Sequence, residues 1–394
     1  MNTTERFHYI DNLRSIALLF GIVFHAALAY GPYFSTMWFS ADPSNHVLFN
    51  YLAIWTHLFR MPLFFVIAGF CAALLISKRG PNAFMTDRLK RLLIPFIIFL
   101  PLTLICVVHA ISWSSSFLDT LPLLFTVFKS VDEPVITTMH LWFIWNLSQF
   151  CLLLWLISHY QKLYQVLLSL SVKPLFLCMI LPIIITFAMS SQAVPFPPPD
   201  KIMPMGWSFG FYGVLFIVGA GLFHHHKKII HTRRCLGGLF LLAVFSLLAY
   251  FALLPPAPTL EKMIEAARLG AFVPEHFNPW AVIVQTVAIL SWTASVFLAG
   301  YLWLNKQNAT SRYLSDASYW IYLSHVPILL YIQLPLINTD LSVFLKFIIS
   351  VCATLGIGLI SYHYLVRGTV IGLLLNGKRT AHATNQYVVN QNTN

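Results

Sequence analysis

Apolar residues in this chain do not alternate with polar ones. They run on for about twenty positions at a time, the length a helix needs to cross a hydrocarbon layer of ~30 Å. Ten such runs, bounded by charge, Pro or Gly, fall at 13–31, 48–76, 92–112, 141–158, 174–191, 207–224, 236–254, 280–304, 317–335 and 343–366. The second is long enough to tilt, and 117–128 reads as a segment lying in the interface. The pattern predicts an all-α polytopic membrane protein with ten transmembrane helices. Residues 1–376 form one transmembrane domain, and 377–394 form a polar tail expected to be disordered.

Composition agrees, since 58% of the 394 residues are hydrophobic and 9% are charged, which excludes a soluble globular protein. The formal net charge of +11 would fit nucleic acid or basic cytoplasmic loops, and position decides between them. Arg6 and Arg14, then Lys78, Arg79, Arg88, Lys90 and Arg91, then Lys162 and Lys173 all fall on one side of the membrane. So do Lys227, Lys228, Arg233 and Arg234, then Lys306 and Arg312, and finally Arg367, Lys378 and Arg379. The opposite loops hold only Lys129, Lys201, Lys262 and Arg268, while Arg60 and Lys346 lie inside helices. This is the positive-inside pattern, and it places both termini in the cytoplasm and the chain in the cell inner (plasma) membrane as a multi-pass protein. The cations do not gather on one domain with stacking aromatics, so no nucleic-acid partner is expected.

The first apolar run continues without a small-residue cleavage pattern and reads as a retained helix. Cys71, Cys106, Cys151, Cys178, Cys235 and Cys352 lie in or beside apolar runs with no C-x-x-C spacing, which predicts buried thiols rather than disulfides. His224, His225 and His226 adjoin Lys227 and Lys228 and point in different directions on a helix. They read as a basic headgroup-facing loop, and no metal site is expected.

Ionisable groups inside hydrocarbon are costly, so each is a candidate for function. Asp11 and Arg14 are one turn apart and can pair. Arg14 and His25 are eleven residues apart, which at about 100° per residue returns them to one face, about 16 Å apart along the axis. His25 is either a satisfied core histidine or a reactive group deep in the bundle. His57 and Arg60 lie in HLFRMPLFFVIAGF with no acid on their own helix, so Arg60 meets a ligand, a carbonyl or a distant side chain. In DRLKRLLIPF, Arg88 and Arg91 are spaced for a phosphate clamp, for lipid headgroups or for topology alone. His140 and Trp142 open the fourth run. Ser318, Tyr322 and His325 stand at i, i+4 and i+7 in the ninth, either as interhelical glue or as a tunnel wall.

Five segments in order, YIDNLRSIALLFGIVFH, FRMPLFFVIAGF, DRLKRLLIP, HLWF and SYWIYLSHVPIL, together resemble the acyltransferase-3 family of integral membrane acyltransferases. Ser15 and Ala68 depart from that pattern, where relatives often carry Gly and Ser. The resemblance implies an O-acyltransferase that moves an acyl group, succinyl or acetyl, from cytoplasmic acyl-CoA to a hydroxyl of a periplasmic or cell-envelope glycan. Acyl-CoA is the donor substrate, and no permanently bound cofactor is expected. On that basis Arg88, Lys90 and Arg91, with Arg14, hold the coenzyme A phosphates. His25 acts as general base or acyl-accepting nucleophile, Asp11 orients Arg14, and Arg60 meets an acyl carboxylate, an anionic sugar or the oxyanion. His140, Trp142, Ser318, Tyr322 and His325 line the acceptor side. A homo-oligomer is left open. The competing class is a transporter or flippase of an acyl or glycan intermediate, whose internal repeats the chain lacks.

Overall fold

The computed structural model describes residues 7–131, 137–269, 278–306 and 309–377, apart from the side chain of Lys228. Arg6, Lys378, Arg379 and the tail after Gly377 lie outside the described residues. Among the described residues all regular structure is helical. In chain order the helices are α1 (His8–Leu28), α2 (Val47–Arg79), α3 (Pro81–Ser114), α4 (Leu123–Lys129), α5 (Met139–Ser158), α6 (Gln161–Leu170) and α7 (Phe176–Met189). There follow α8 (Gly206–His224), α9 (Ile229–Ala252), α10 (Leu260–Leu269), α11 (Pro279–Trp303), α12 (Ala309–Leu336), α13 (Val343–Val366) and α14 (Val370–Asn376).

Eight of these, α1, α2, α3, α5, α8, α9, α11 and α13, are long and apolar enough to cross a membrane. The other two expected spans are also helical but of different character. α7 is a shorter apolar helix, and α12 is 28 residues long but carries Arg312 and Asp316 near its start. The segment expected at the interface contains the short helix α4, with Leu123 and Phe128 exposed.

Chain chemistry sets several boundaries. Gly80 takes φ +79°, a region that disfavours side chains, and ends α2 while its N–H caps Ile76 O at 2.8 Å. Pro81 opens α3, where a missing N–H costs nothing. Within α3, Leu89–Leu93 form a π turn, so the basic stretch expected just before a helix is inside one. The side chains of Asn278 and Ser342 cap α11 and α13.

α1 lies at the centre, packed on α2, α11, α12 and α13. α2 and α8 meet backbone to backbone. The Phe216 carbonyl occupies the space where a Cβ on Gly69 would sit, and the Val66 carbonyl does the same at Gly219. α3, α9 and α13 bury least and show rows of Ile, Leu, Val and Phe outward, which is how a helix facing lipid differs from one facing protein. Cys178, Cys235 and Cys352 lie on such outer surfaces, correcting the expectation of buried thiols. An apolar run marks burial in lipid as readily as burial in protein. All six cysteines are free.

Candidate active site

At one end of the bundle, Arg14 on α1 donates from Nη2 to Ser315 Oγ at 2.5 Å and to Ser315 O at 3.0 Å, tying α1 to α12. Asp11 is 3.9 Å away, as the one-turn spacing predicts. Arg88 and Arg91 share a carboxylate that the motif contains but spacing alone does not single out. Asp87 meets Arg88 Nη2 at 2.9 Å and Arg91 Nε at 3.1 Å. Asp87 thus holds both guanidinium groups in place. Pro95 has no N–H to give the preceding turn, and Tyr319 on α12 donates its hydroxyl to Arg91 O at 2.5 Å instead. Cys71 on α2 lies within electrostatic range of Asp11, Arg14 and Arg88, so the cations of α1 and α3 converge there. Here the guanidinium groups of Arg14, Arg88 and Arg91 meet the carboxylates of Asp11 and Asp87. Lys90 is exposed and does not join the pair. Arg14, Arg88 and Arg91 keep part of their side chains exposed.

About three turns along α1, the His25 ring meets those of Phe24, Trp38 and His325. Trp38 stacks on it with ring centroids 5.3 Å apart and 26° between planes. His325 on α12 is 5.1 Å from His25, and His140 at the start of α5 is 5.1 Å from His325. The Tyr322 hydroxyl donates to His140 O at 2.7 Å. His57 stacks on Phe24 at 5.2 Å and on Phe196 at 4.3 Å, and its Nε2–H donates to Phe196 O at 3.0 Å.

Arg60 is the outlying charge. Only 6% of it is exposed, its guanidinium lies against Gly21 and over the Phe24 ring at 4.6 Å, and among the described residues no carboxylate or carbonyl pairs with it. A buried guanidinium without an anion is unfavourable by several kcal/mol, so this position favours an anionic or strongly polar group beside it. His25, Tyr212 and Tyr322 are all within its electrostatic range.

The structure brings together His25, Arg60, His140, Tyr322 and His325 at one centre and Asp11, Arg14, Arg88 and Arg91 at the other. Three expected residues stand apart, the exposed Lys90 among them. Trp142 packs on Tyr212 at 5.3 Å and on Phe65 at 6.2 Å, behind the histidines. Ser318 bonds Ser315 O of its own helix at 2.8 Å and sits nearer Arg14 than His25 along α12. His225 and His226 each bond a backbone carbonyl, of Gly221 and Phe223.

Several contributors escape a reading by motif. Residues 30–46 fold back over His25. The indole N–H of Trp38 and the hydroxyl of Ser40 both donate to Gln333 Oε1, at 3.3 and 2.6 Å, and Gln333 Nε2 donates to Ala26 O at 3.1 Å. One buried amide thus fixes Trp38 against the histidine and the end of α1. The same segment is anchored by Asp42, which pairs with Lys346 of α13 at 2.8 Å, the two side chains only 2% and 1% exposed. A Gln inside an apolar run was the available signal for the first. Asp42 lies in a loop, with nothing in its neighbourhood to name a partner so far along the chain.

The pattern of the acyltransferase-3 family, described as an acyltransferase domain, matches residues 7–363. The chain belongs to the acyltransferase-3 family. This acyltransferase-3 protein is 26% identical over 395 residues to glucans biosynthesis protein C of Escherichia coli O139:H28 (strain E24377A / ETEC), covering 95% of each chain. The proteins of that name from strain SMS-3-5 / SECEC and from O157:H7 match to the same extent. No solved structure matches it. The acyltransferase-3 chain is accordingly a multi-pass membrane acyltransferase, and both centres described above fall within the matched residues.

Proposed function

We propose that this enzyme transfers an acyl group, succinyl or acetyl, from acyl-CoA on the cytoplasmic side to a hydroxyl of a periplasmic glycan. In this reading it crosses the inner membrane ten times, with α7 and α12 completing the set and both termini in the cytoplasm. The observation that carries it is the pairing of two centres along one helix. Arg14, which Arg88 and Arg91 of α3 join at a positive mouth, and His25 of the imidazole cluster lie on the same face of α1, about 16 Å apart along its axis. An elongated thioester donor with a polyanionic head fits that layout. The guanidinium forks take phosphate oxygens, and the acyl end reaches His25.

There His25 serves either as general base toward the acceptor hydroxyl or as acyl-accepting nucleophile. Arg60 holds a carboxylate on the acyl group or acceptor, or the oxyanion of the tetrahedral intermediate. Asp11 orients Arg14, and Lys90 adds charge at the mouth. The glycan acceptor is suggested by the relatives, whose name refers to glucans.

Two results would check the parts separately. Arg88→Ala with Arg91→Ala is expected to weaken acyl-CoA binding by about tenfold or more, since two charge-assisted bonds are lost. Unchanged affinity by calorimetry would leave these residues as topology signals. Arg60→Lys keeps the charge but removes the planar fork. It is expected to slow succinyl transfer more than acetyl transfer if Arg60 holds a carboxylate, and to slow both equally if it stabilises the oxyanion. Mass spectrometry of cell-envelope glycans, with and without the protein, tests the whole reading. The expected change is a succinyl or acetyl increment, and identical glycans would contradict it.

A further inference from the structure

The proposed transfer leaves open which group removes the acceptor's proton, and the hydrogen bonds of two histidines narrow the choice. A backbone carbonyl only accepts, so an imidazole nitrogen bonded to one must carry the hydrogen. His325 Nδ1 is 2.8 Å from Tyr322 O, and its Nε2 is buried with no hydrogen-bond partner among the described residues. In the neutral ring that Nε2 holds a free lone pair.

His140 is fixed in the complementary way. Pro327 has no N–H to close the helical turn onto Leu323 O, and His140 Nε2 donates to that carbonyl at 3.3 Å. Its Nδ1 is the unpartnered atom. With both N–H groups spent on carbonyls, neither ring can donate to the other. The pair offers acceptors and no donors to whatever lies beside it. His25 differs, because no hydrogen bond among the described residues fixes its tautomer, and its Nδ1 is also unpartnered. His325 is the one that touches His25, and the remaining titratable or charged groups around it are His140 on α5, Arg60 on α2 and Tyr322 on its own helix.

We propose that His325 is the general base of the acceptor half-reaction, dividing the chemistry with His25 as nucleophile. The proposal deepens the acyl-transfer reading and rests on it. In the first half, a ring nitrogen of His25 attacks the thioester carbonyl. A C–N bond forms, the C–S bond breaks, and the thiolate takes the proton that the acyl-imidazolium loses, leaving as coenzyme A thiol. In the second, the acceptor hydroxyl attacks the acyl carbon while its proton moves to His325 Nε2. The C–O bond forms, the C–N bond breaks, and His325 returns the proton to the departing His25 nitrogen. Both histidines end neutral, and no other reactant is needed.

The test uses the full-length protein in detergent, succinyl-CoA or acetyl-CoA, and a glucan oligosaccharide as acceptor. His325→Ala removes the base. His325→Asn also removes it but retains an amide N–H for the Tyr322 carbonyl, which guards against loss of fold. Both are expected to slow transfer to the glucan by about 10²–10⁴-fold. Both should still release one equivalent of coenzyme A in a rapid-quench burst, and added imidazole should restore transfer to His325→Ala. Normal transfer by His325→Asn would assign His325 a purely structural role and overturn the proposal. Loss of the burst together with transfer would overturn the division of labour. Wild-type protein showing no acceptor-dependent release of coenzyme A would be a different failure, sinking the acyl-transfer reading and this proposal with it.

Discussion

His25→Ala is expected to lower acyl transfer to the glycan by about 10²–10⁴-fold, the range for losing a positioned base or nucleophile. Affinity for acyl-CoA should change little. The ring is half-buried beside Trp38 and His325 and makes no hydrogen bond that holds helices together among the described residues, so its removal should cost chemistry rather than fold. Arg14 is about three turns away, and Arg14, Arg88 and Arg91 keep their partners Ser315 and Asp87 in the variant. A kinetic pattern with kcat lost and donor binding kept would follow from that separation. Near-normal turnover would remove His25 from the mechanism and leave it as a core histidine.

The largest effect on stability is expected at Asp42 and Lys346. Both side chains are almost wholly buried and their charged atoms are 2.8 Å apart, so removing either strands a charge in a low-dielectric interior. Lys346→Ala is expected to cost about 3–5 kcal/mol. Replacing both partners together, Asp42→Leu with Lys346→Met, should recover most of that, because a well-packed apolar pair avoids the desolvation penalty. Thermal unfolding in detergent would show the difference. A cost for Lys346→Ala below about 1 kcal/mol, as for an exposed pair, would contradict the burial seen here. Because Asp42 anchors the segment that carries Trp38 onto His25, the single variants should also lose activity out of proportion to any change in donor binding.

What could be read from the chain divides along physical lines. Long apolar runs announce themselves because lipid demands about twenty apolar residues and continuous backbone bonding, so α2, α5, α8, α11 and α13 fall where the runs fall. The start of α3 does not, since that helix takes in the polar stretch from Pro81, just after Gly80 ends α2, well before the apolar run begins. α12 shows the limit of hydropathy. Its polar residues Ser315, Tyr322, His325 and Gln333, which meet Arg14 at one end and the histidines and Ala26 further along, are the same ones that dilute its apolar signal.

The site was legible where one helix carries the geometry. Arg14 and His25, or Tyr322 and His325, need only the helical repeat. Partners from elsewhere were not, because Trp38, Asp42, Gln333 and Lys346 meet only after α1, α12 and α13 pack together. Asp87 was in view within DRLKR, yet its role as the shared anchor of Arg88 and Arg91 depends on the turn geometry around it. Proline placement is a signal that could have been used. Pro95 and Pro327 each deprive a carbonyl of its helical donor, and side chains from other helices, Tyr319 and His140, take those carbonyls.

The central claim is that an acyl group passes through the bundle, from a donor at the Arg88 end to an acceptor at the His25 end. Proteoliposomes with the protein in one orientation, glucan sealed inside and labelled acyl-CoA added outside, test it most directly. The account predicts label on the enclosed glucan when the Arg88 end faces out, and none when donor and acceptor are exchanged between compartments. Transfer that requires both substrates on the same side would contradict it.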